Sequence, residues 1–220
     1  MTGDQTRNHH RSFLAAAEQR LIAAILPQIS EQVTPRRLTR LGLIGAFIAA
    51  SALIGCRWTP AFLPLMATGV LINWFGISLD GPLARYRNDS SGAFGFVEHV
   101  HDLFSQIVIL VGFGLSPYLS PEAALVILFC YLIFSAYTYL RTASQSMPQM
   151  AYIGIGATEY RMLMIVYAIG AAAMGVNEIA EQGFSMLDQI IVILAVLALG
   201  GLAVKIVIDA RHISAQEDRS

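Results

Sequence analysis

Three acidic residues stand where apolar sequence gives way to polar sequence. Asp80 ends one apolar stretch, and Glu98 and Asp102 precede the next. Glu98 and Asp102 are four residues apart, so on a helix they occupy one face. Carboxylate oxygens are hard ligands that suit Mg²⁺ or Mn²⁺, ions that bridge substrate phosphates. The pattern therefore predicts that the three acids converge on a divalent cation. The alternative, for any one acid taken alone, is a solvated charge at a helix end.

The residues that follow Asp80 favour contact with a phosphate group. Gly81 and Ala84 lack bulk, which lets a phosphate or nucleotide approach the backbone. Arg85 comes next, and a guanidinium pairs well with phosphate oxygens. Together with a cation, these residues predict a site for a nucleotide or another phosphate ester.

The composition places these residues in a membrane protein. Of the 220 residues, 55% are hydrophobic and 13% are charged, and the mean hydropathy is +0.59. This balance is too apolar for a soluble domain of this length. The net charge of -1 gives no indication of nucleic-acid binding. Apolar stretches long enough to cross about 30 Å of hydrocarbon run roughly 41–56, 60–79, 103–119, 122–140, 162–176 and 187–208.

These stretches predict an all-α integral membrane protein, a bundle of six transmembrane helices. Before them, apolar residues recur at helical spacing from Phe13 to Leu26, and Pro27 interrupts the run. This spacing predicts an amphipathic helix at the membrane interface. We expect a cytoplasmic arm that contains this helix, a six-helix membrane domain and a cytoplasmic tail, at 1–40, 41–210 and 211–220.

Basic residues give the predicted orientation. With the N-terminus inside, thirteen of the 14 lysines and arginines fall on the inner side, and only Arg57 falls outside. Such a bias is typical of cytoplasmic loops. The outer loops instead carry the acids Glu122, Glu178, Glu181 and Asp188. We therefore predict that both termini are cytoplasmic and that the chain lies in a cell membrane, the inner one in a bacterium.

Small and sulfur-containing residues within the apolar stretches are interpreted as packing residues. Cys56 and Cys130 have no metal-ligand spacing. Glycines within the stretches predict close approach of helices, and those concerned are Gly42, Gly45, Gly170, Gly175, Gly200 and Gly201.

The three acids also have a characteristic spacing relative to Gly81, Ala84 and Arg85. The sequence has Asp-Gly-x-x-Ala-Arg from Asp80 to Arg85, and then Glu98 and Asp102. This resembles the signature of the CDP-alcohol phosphatidyltransferase family, Asp-x2-Asp-Gly-x2-Ala-Arg-x8-Gly-x3-Asp-x3-Asp. In the comparison, Asp80 falls on the second signature acid, Glu98 on the third and Asp102 on the fourth. Three positions depart from the pattern: Ile77 falls on the first acid, Phe94 falls on the last glycine, and the third acid is the longer Glu98.

The resemblance continues on both sides of the signature. The stretch 34–39, Thr-Pro-Arg-Arg-Leu-Thr, resembles the Thr-Pro-Asn-x-Leu-Thr segment that opens the first span of many members. The stretch 156–159, Gly-Ala-Thr-Glu, resembles the Gly-Pro-Thr-Glu segment that opens their fifth span. The resemblance covers roughly residues 12 to 210 in the same order.

The resemblance implies a six-helix bundle, usually a homodimer, with a cavity open to the cytoplasm. Such enzymes transfer a phosphatidyl or substituted phosphoryl group from a CDP-linked lipid or alcohol to a hydroxyl acceptor and release CMP, in phospholipid or related lipid synthesis. Asp80 and Glu98 would ligate Mg²⁺ or Mn²⁺, and Asp102 would ligate the metal or act as general base. The residues that would contact the cytidine diphosphate are Gly81, Ala84 and Arg85.

Four further residues are candidates for contact with the acceptor or its phosphate. Arg141 and Arg161 fit this role, although a basic residue at an inner helix end also serves orientation. Thr158 and Glu159 would position substrate or, alternatively, form a helix N-cap with a first-turn acid.

Ile77 keeps two functional hypotheses open. An isoleucine cannot ligate a metal. Asn73, seven residues before Asp80, lies about 10 Å from it along a helix, which is too far to replace the missing acid. Three carboxylates still suffice for one Mg²⁺ completed by water and substrate phosphate, which predicts an active enzyme with an altered site. The alternative is a noncatalytic relative that binds lipid or assembles with a partner in the membrane. A small transporter is disfavoured, because the acids stand at the membrane boundary and the last two helices carry no matching set.

Overall fold

The computed structural model describes residues 14–88, 92–145, 157–177 and 185–217. Within these ranges the chain is helical and has no strand, which confirms the predicted all-α class. Seven α-helices follow one another: α1 (Ala15–Ile25), α2 (Pro35–Gly55), α3 (Leu63–Tyr86), α4 (Gly92–Gly114), α5 (Pro121–Gln145), α6 (Ala157–Ala173) and α7 (Met186–Glu217). Each predicted apolar stretch lies mainly within one of the helices α2 to α7.

Length and composition identify the helices that are able to cross a membrane. Among the described residues, four helical segments are long and apolar enough: Pro35–Gly55, Pro60–Tyr86, Pro121–Leu140 and Met186–Arg211. In α4 the apolar part is shorter, His99–Gly114, and α6 has 17 residues. The chain is therefore an α-helical protein suited to a membrane, while six crossings remain a prediction.

Local sequence explains where the first two helices begin and end. In α1 the helical periodicity stops at Ile25, and a short 3-10 turn that contains Pro27 follows. The Thr34 side chain then caps α2 by accepting a hydrogen bond from the Arg37 N–H at 3.3 Å. Pro35 in the first turn of α2 needs no hydrogen-bond donor there.

Glycines let α2 and α3 pack backbone against backbone in antiparallel directions. A Cβ atom on Gly45 would lie 2.4 Å from the Asn73 nitrogen, and one on Gly76 would lie 2.3 Å from the Gly42 nitrogen. On the same face, a Cβ on Gly69 would lie 2.5 Å from the nitrogen of Ala49. Contacts this close are possible only without side chains. This confirms the packing role predicted for Gly42 and Gly45.

The remaining helices surround this pair. Helix α4 packs against α2, where a Cβ on Gly112 would come within 2.6 Å of the Ala50 Cα. Helix α5 packs between α4 and α7, and α6 packs on α3. The rings of Phe113 and Tyr167 meet at 6.0 Å and join α4 to α6. The apolar core of the bundle therefore runs through α2, α3, α4 and α6.

At the end of the bundle where α5 and α7 begin, a buried carboxylate ties these two helices together. Asp188 in the first turn of α7 is fully buried. It accepts hydrogen bonds from the backbone N–H groups of Ser120 and Ser185, both at 3.2 Å. The Ser185 hydroxyl in turn accepts from the Asp188 N–H at 3.1 Å, so the pair forms a reciprocal cap.

The cysteines are packing residues, as predicted. Cys56 and Cys130 are both buried and free.

The packing prediction is wrong for four other glycines in this structure. A Cβ on Gly170, Gly200 or Gly201 would meet no atom within 4 Å. Gly175 is also open, and its φ of +73° shows that it ends α6 in the left-handed region. Sequence spacing does not reveal which face of a helix meets a neighbour, so it cannot separate contact glycines from open ones.

Gly76→Ala should therefore destabilise the protein strongly, because the added methyl group would collide with the backbone of α2. Gly200→Ala is the matched control, and it should be neutral or stabilising by up to about 1 kcal/mol through helix propensity. Thermal unfolding of both variants in detergent measures the difference. Equal melting temperatures for the two variants would contradict the α2–α3 contact described here.

Candidate functional site

A buried guanidinium lies at the centre of the polar interior. Arg161 on α6 has only 1% of its side chain exposed. Its Nη2 atom donates to the Asp102 Oδ1 atom of α4 at 2.7 Å, and its Nε atom donates to the Asn73 Oδ1 atom of α3 at 2.9 Å. A buried charge requires such partners, because desolvation without them is costly. Arg161 thus joins three helices at one point.

Asn73 extends this network to a fourth helix. Its Nδ2 atom donates to the Gly42 carbonyl of α2 at 2.9 Å. The carbonyl is within reach because α2 and α3 approach so closely at Gly45. Asn73 is fully buried, and both ends of its amide are hydrogen-bonded. Its role is to orient Arg161, which the sequence did not predict.

The second acid, Asp80, has different surroundings. It is fully buried on α3. The Thr39 hydroxyl of α2 donates to its Oδ2 atom at 2.7 Å, and the Gly81 N–H donates to its Oδ1 atom at 2.7 Å. These two hydrogen bonds tie the Asp80 carboxylate to α2 and to the backbone of its own helix.

The predicted nucleotide contacts lie at the end of α3. Gly81 is buried and Ala84 is 1% exposed, whereas Arg85 in the last turn is exposed. A nucleotide would meet Arg85 first and would reach Gly81 and Ala84 only after neighbouring side chains moved. The arrangement therefore brings Arg85 to the surface above the buried Asp80.

Ile77 fills the place where the first signature acid would stand. A Cβ atom on Gly42 would lie 2.7 Å from its Cγ1 atom, so the isoleucine packs against α2 at the glycine contact. An apolar side chain suits this position, since it lies between two closely packed helices. Ile77 therefore has a packing role at this position.

The predicted substrate-contact residues Thr158 and Glu159 bind the N-terminal helix. The Thr158 hydroxyl donates to the Glu18 Oε1 atom at 2.6 Å. The Trp74 Nε1 atom of α3 donates to the same Glu18 oxygen at 3.0 Å and lies 3.2 Å from the Thr158 hydroxyl. The Leu14 N–H donates to the Glu159 Oε1 atom at 2.7 Å. The first turn of α6 is therefore an attachment point for α1.

Two predicted site residues have side chains outside the described part of the chain. Glu98 lies on α4 and Arg141 on α5, but only their helical backbone is described. The nearby histidines have local contacts. His101 Nδ1 lies 2.8 Å from the Val97 carbonyl, and the His99 ring lies 5.0 Å from the Tyr139 ring. Among the described side chains, no three of the His, Cys, Asp and Glu type are grouped to hold a metal.

Arg87 is a further residue whose role the sequence did not reveal. Its guanidinium donates to backbone carbonyls between α1 and α2, those of Ile29, Ser30, Glu31 and Val33. It therefore fixes the loop that leads from α1 into α2. In the sequence, Arg87 was only one of the inner basic residues.

Comparison with known proteins does not assign the chain to a family. No protein-family model matches the chain, and no curated protein matches it.

The Arg161 network generates a stability prediction. Asp102→Ala should lower the free energy of unfolding by about 3 kcal/mol, because it leaves a buried guanidinium without its counter-charge. The double variant Asp102→Ala/Arg161→Met should lose less than the sum of the two single variants. Lys205→Met provides a control. The Lys205–Asp209 ion pair is partly exposed, so its loss should lower the free energy of unfolding by less than about 1 kcal/mol.

Chemical denaturation in detergent would give these free energies. Strict additivity of the Asp102 and Arg161 variants would contradict the buried pair.

Proposed function

We propose that this chain is a divergent enzyme of the CDP-alcohol phosphatidyltransferase type. It would cross the membrane six times with both termini in the cytoplasm, and it would act as a homodimer. The observation that carries the proposal is the order Asp-Gly-x-x-Ala-Arg followed by Glu98 and Asp102. The burial of Asp80 and of Arg161, which pairs with the partly exposed Asp102, supports it, because ionisable groups inside a membrane protein are costly and typically mark a functional site.

The proposed reaction joins an acceptor alcohol to the phosphoryl group next to the lipid or alcohol part of a CDP-linked donor. The acceptor oxygen forms a bond to that phosphorus, the bond from phosphorus to the CMP oxygen breaks, and CMP leaves. The proton of the acceptor hydroxyl passes to a carboxylate. We assign this proton to Oδ2 of Asp102, because Arg161 binds Oδ1 and so fixes the orientation of the carboxylate.

The acids also have the chemistry that a divalent cation needs. With Asp102 as the general base, Asp80 and Glu98 would hold Mg²⁺ or Mn²⁺ through carboxylate oxygens. When bound, the cation would offset the negative charge of the pyrophosphate. Arg85, exposed at the end of α3, would meet the donor phosphates from the cytoplasm.

A second candidate function rests on Ile77. Because this side chain packs on Gly42 in place of an acid, the chain would be a noncatalytic relative that binds lipid or assembles with an active partner. In that case the buried polar groups would be retained for structure alone.

Release of CMP tests the first proposal. Purified protein in nanodiscs with Mg²⁺ should release CMP from a CDP-linked lipid with at least one member of a panel of alcohol acceptors. Asp80→Asn should lower turnover by at least about 100-fold, since even outer-shell partners of a metal contribute 10- to 100-fold. Glu122→Gln, which removes an exposed acid at the start of α5, should leave turnover unchanged. A folded wild-type protein that shows no turnover with any acceptor would reject the enzyme.

Ile77→Asp distinguishes the two candidate functions. If the present three acids are sufficient, wild-type protein is already active, and the substitution should change turnover by less than about tenfold. If the chain is a relative that lost its activity, wild-type protein is inactive and the restored acid should produce metal-dependent turnover. Ile77→Asn is the control, because it disturbs the contact with Gly42 equally but supplies no charge.

A further inference from the structure

One carboxylate of the N-terminal helix contacts two other helices of the bundle. Glu18 of α1 accepts hydrogen bonds from Trp74 on α3 and from Thr158 on α6 at 3.0 and 2.6 Å. Hydrogen bonds to an ionised acceptor are about twice as strong as neutral ones. Since the donors belong to two different helices, Glu18 links α3 to α6.

The other attachments fix α1 at both ends. At its start, the Leu14 N–H donates to Glu159 of α6 at 2.7 Å. At its end, Ile22 and Ile25 pack on a buried apolar cluster formed by Leu38, Leu79 and Leu83. The loop after α1 is held by Arg87. Helix α1 therefore crosses the bundle where α2 and α6 begin and α3 ends.

We propose that α1 is a strap which, through Glu18, clamps α6 to α3 and so holds Arg161 in its pair with Asp102. Thr158 precedes Arg161 by one helical turn, on the same face of α6. Trp74 adjoins Asn73, the other partner of Arg161. Both contacts of Glu18 are thus next to the residues that position the guanidinium. Glu18 is a positioning residue, and its role does not depend on which reaction the bundle performs.

Trp74 provides a direct reporter of the strap. The chain has two tryptophans, and Trp58 is 78% exposed, so Trp58→Phe leaves Trp74 as the single emitter. In nanodiscs with anionic lipid, Glu18→Gln should shift the Trp74 emission to longer wavelength. It should also raise hydrogen exchange in the first turns of α6 by about tenfold or more, with the rest of the bundle unchanged.

Two further variants control the measurement. Glu31→Gln removes the same charge from an exposed side chain in the loop after α1, and it should change neither signal. Thr158→Val removes the hydroxyl that binds Glu18, so its effect should not add to that of Glu18→Gln. Unchanged emission and exchange in a folded Glu18→Gln protein would overturn the clamp.

Discussion

The buried guanidinium of Arg161 imposes the main constraint on this bundle. A buried, desolvated cation needs a counter-charge and hydrogen-bond acceptors nearby. Without them the free energy of unfolding would fall by several kcal/mol. Asp102 supplies the charge and Asn73 supplies a second acceptor, so α4 and α3 must both approach α6 at this level. Asn73 needs a partner of its own and finds it in the Gly42 carbonyl. The close glycine contact of α2 with α3 therefore belongs to the same network as the ion pair.

The two described acids of the signature have different environments, and this difference supports different roles. Asp80 accepts hydrogen bonds from the Thr39 hydroxyl and from the Gly81 backbone amide. Asp102 pairs with Arg161, which fixes the direction of its carboxylate. An oriented carboxylate suits proton transfer. Ile77 lies on the same helix as Asp80, but it serves the contact with α2.

Helix α1 connects this interior to the surface of the bundle. Its Glu18 reaches the two helices that carry Asn73 and Arg161. A short amphipathic helix is marginal in isolation, so its stability comes from these contacts. The position of α6 is therefore set by the ion pair in the interior and by the strap at its first turn.

The sequence by itself determined the helical class, the positions of the apolar helices and the order of the acids, because these depend on composition and on local spacing. It also determined the break near Pro27, where one residue fixes the backbone. Only the tertiary structure decided which side chains meet: that Arg161 pairs with Asp102, that Glu18 binds Trp74 and Thr158, and that Gly42 is in contact while Gly200 is open. The polar pairings among these join residues from 56 to 140 positions apart. Their partners depend on how each helix is rotated about its axis, and that rotation is set by the packing of the whole bundle rather than by any local segment.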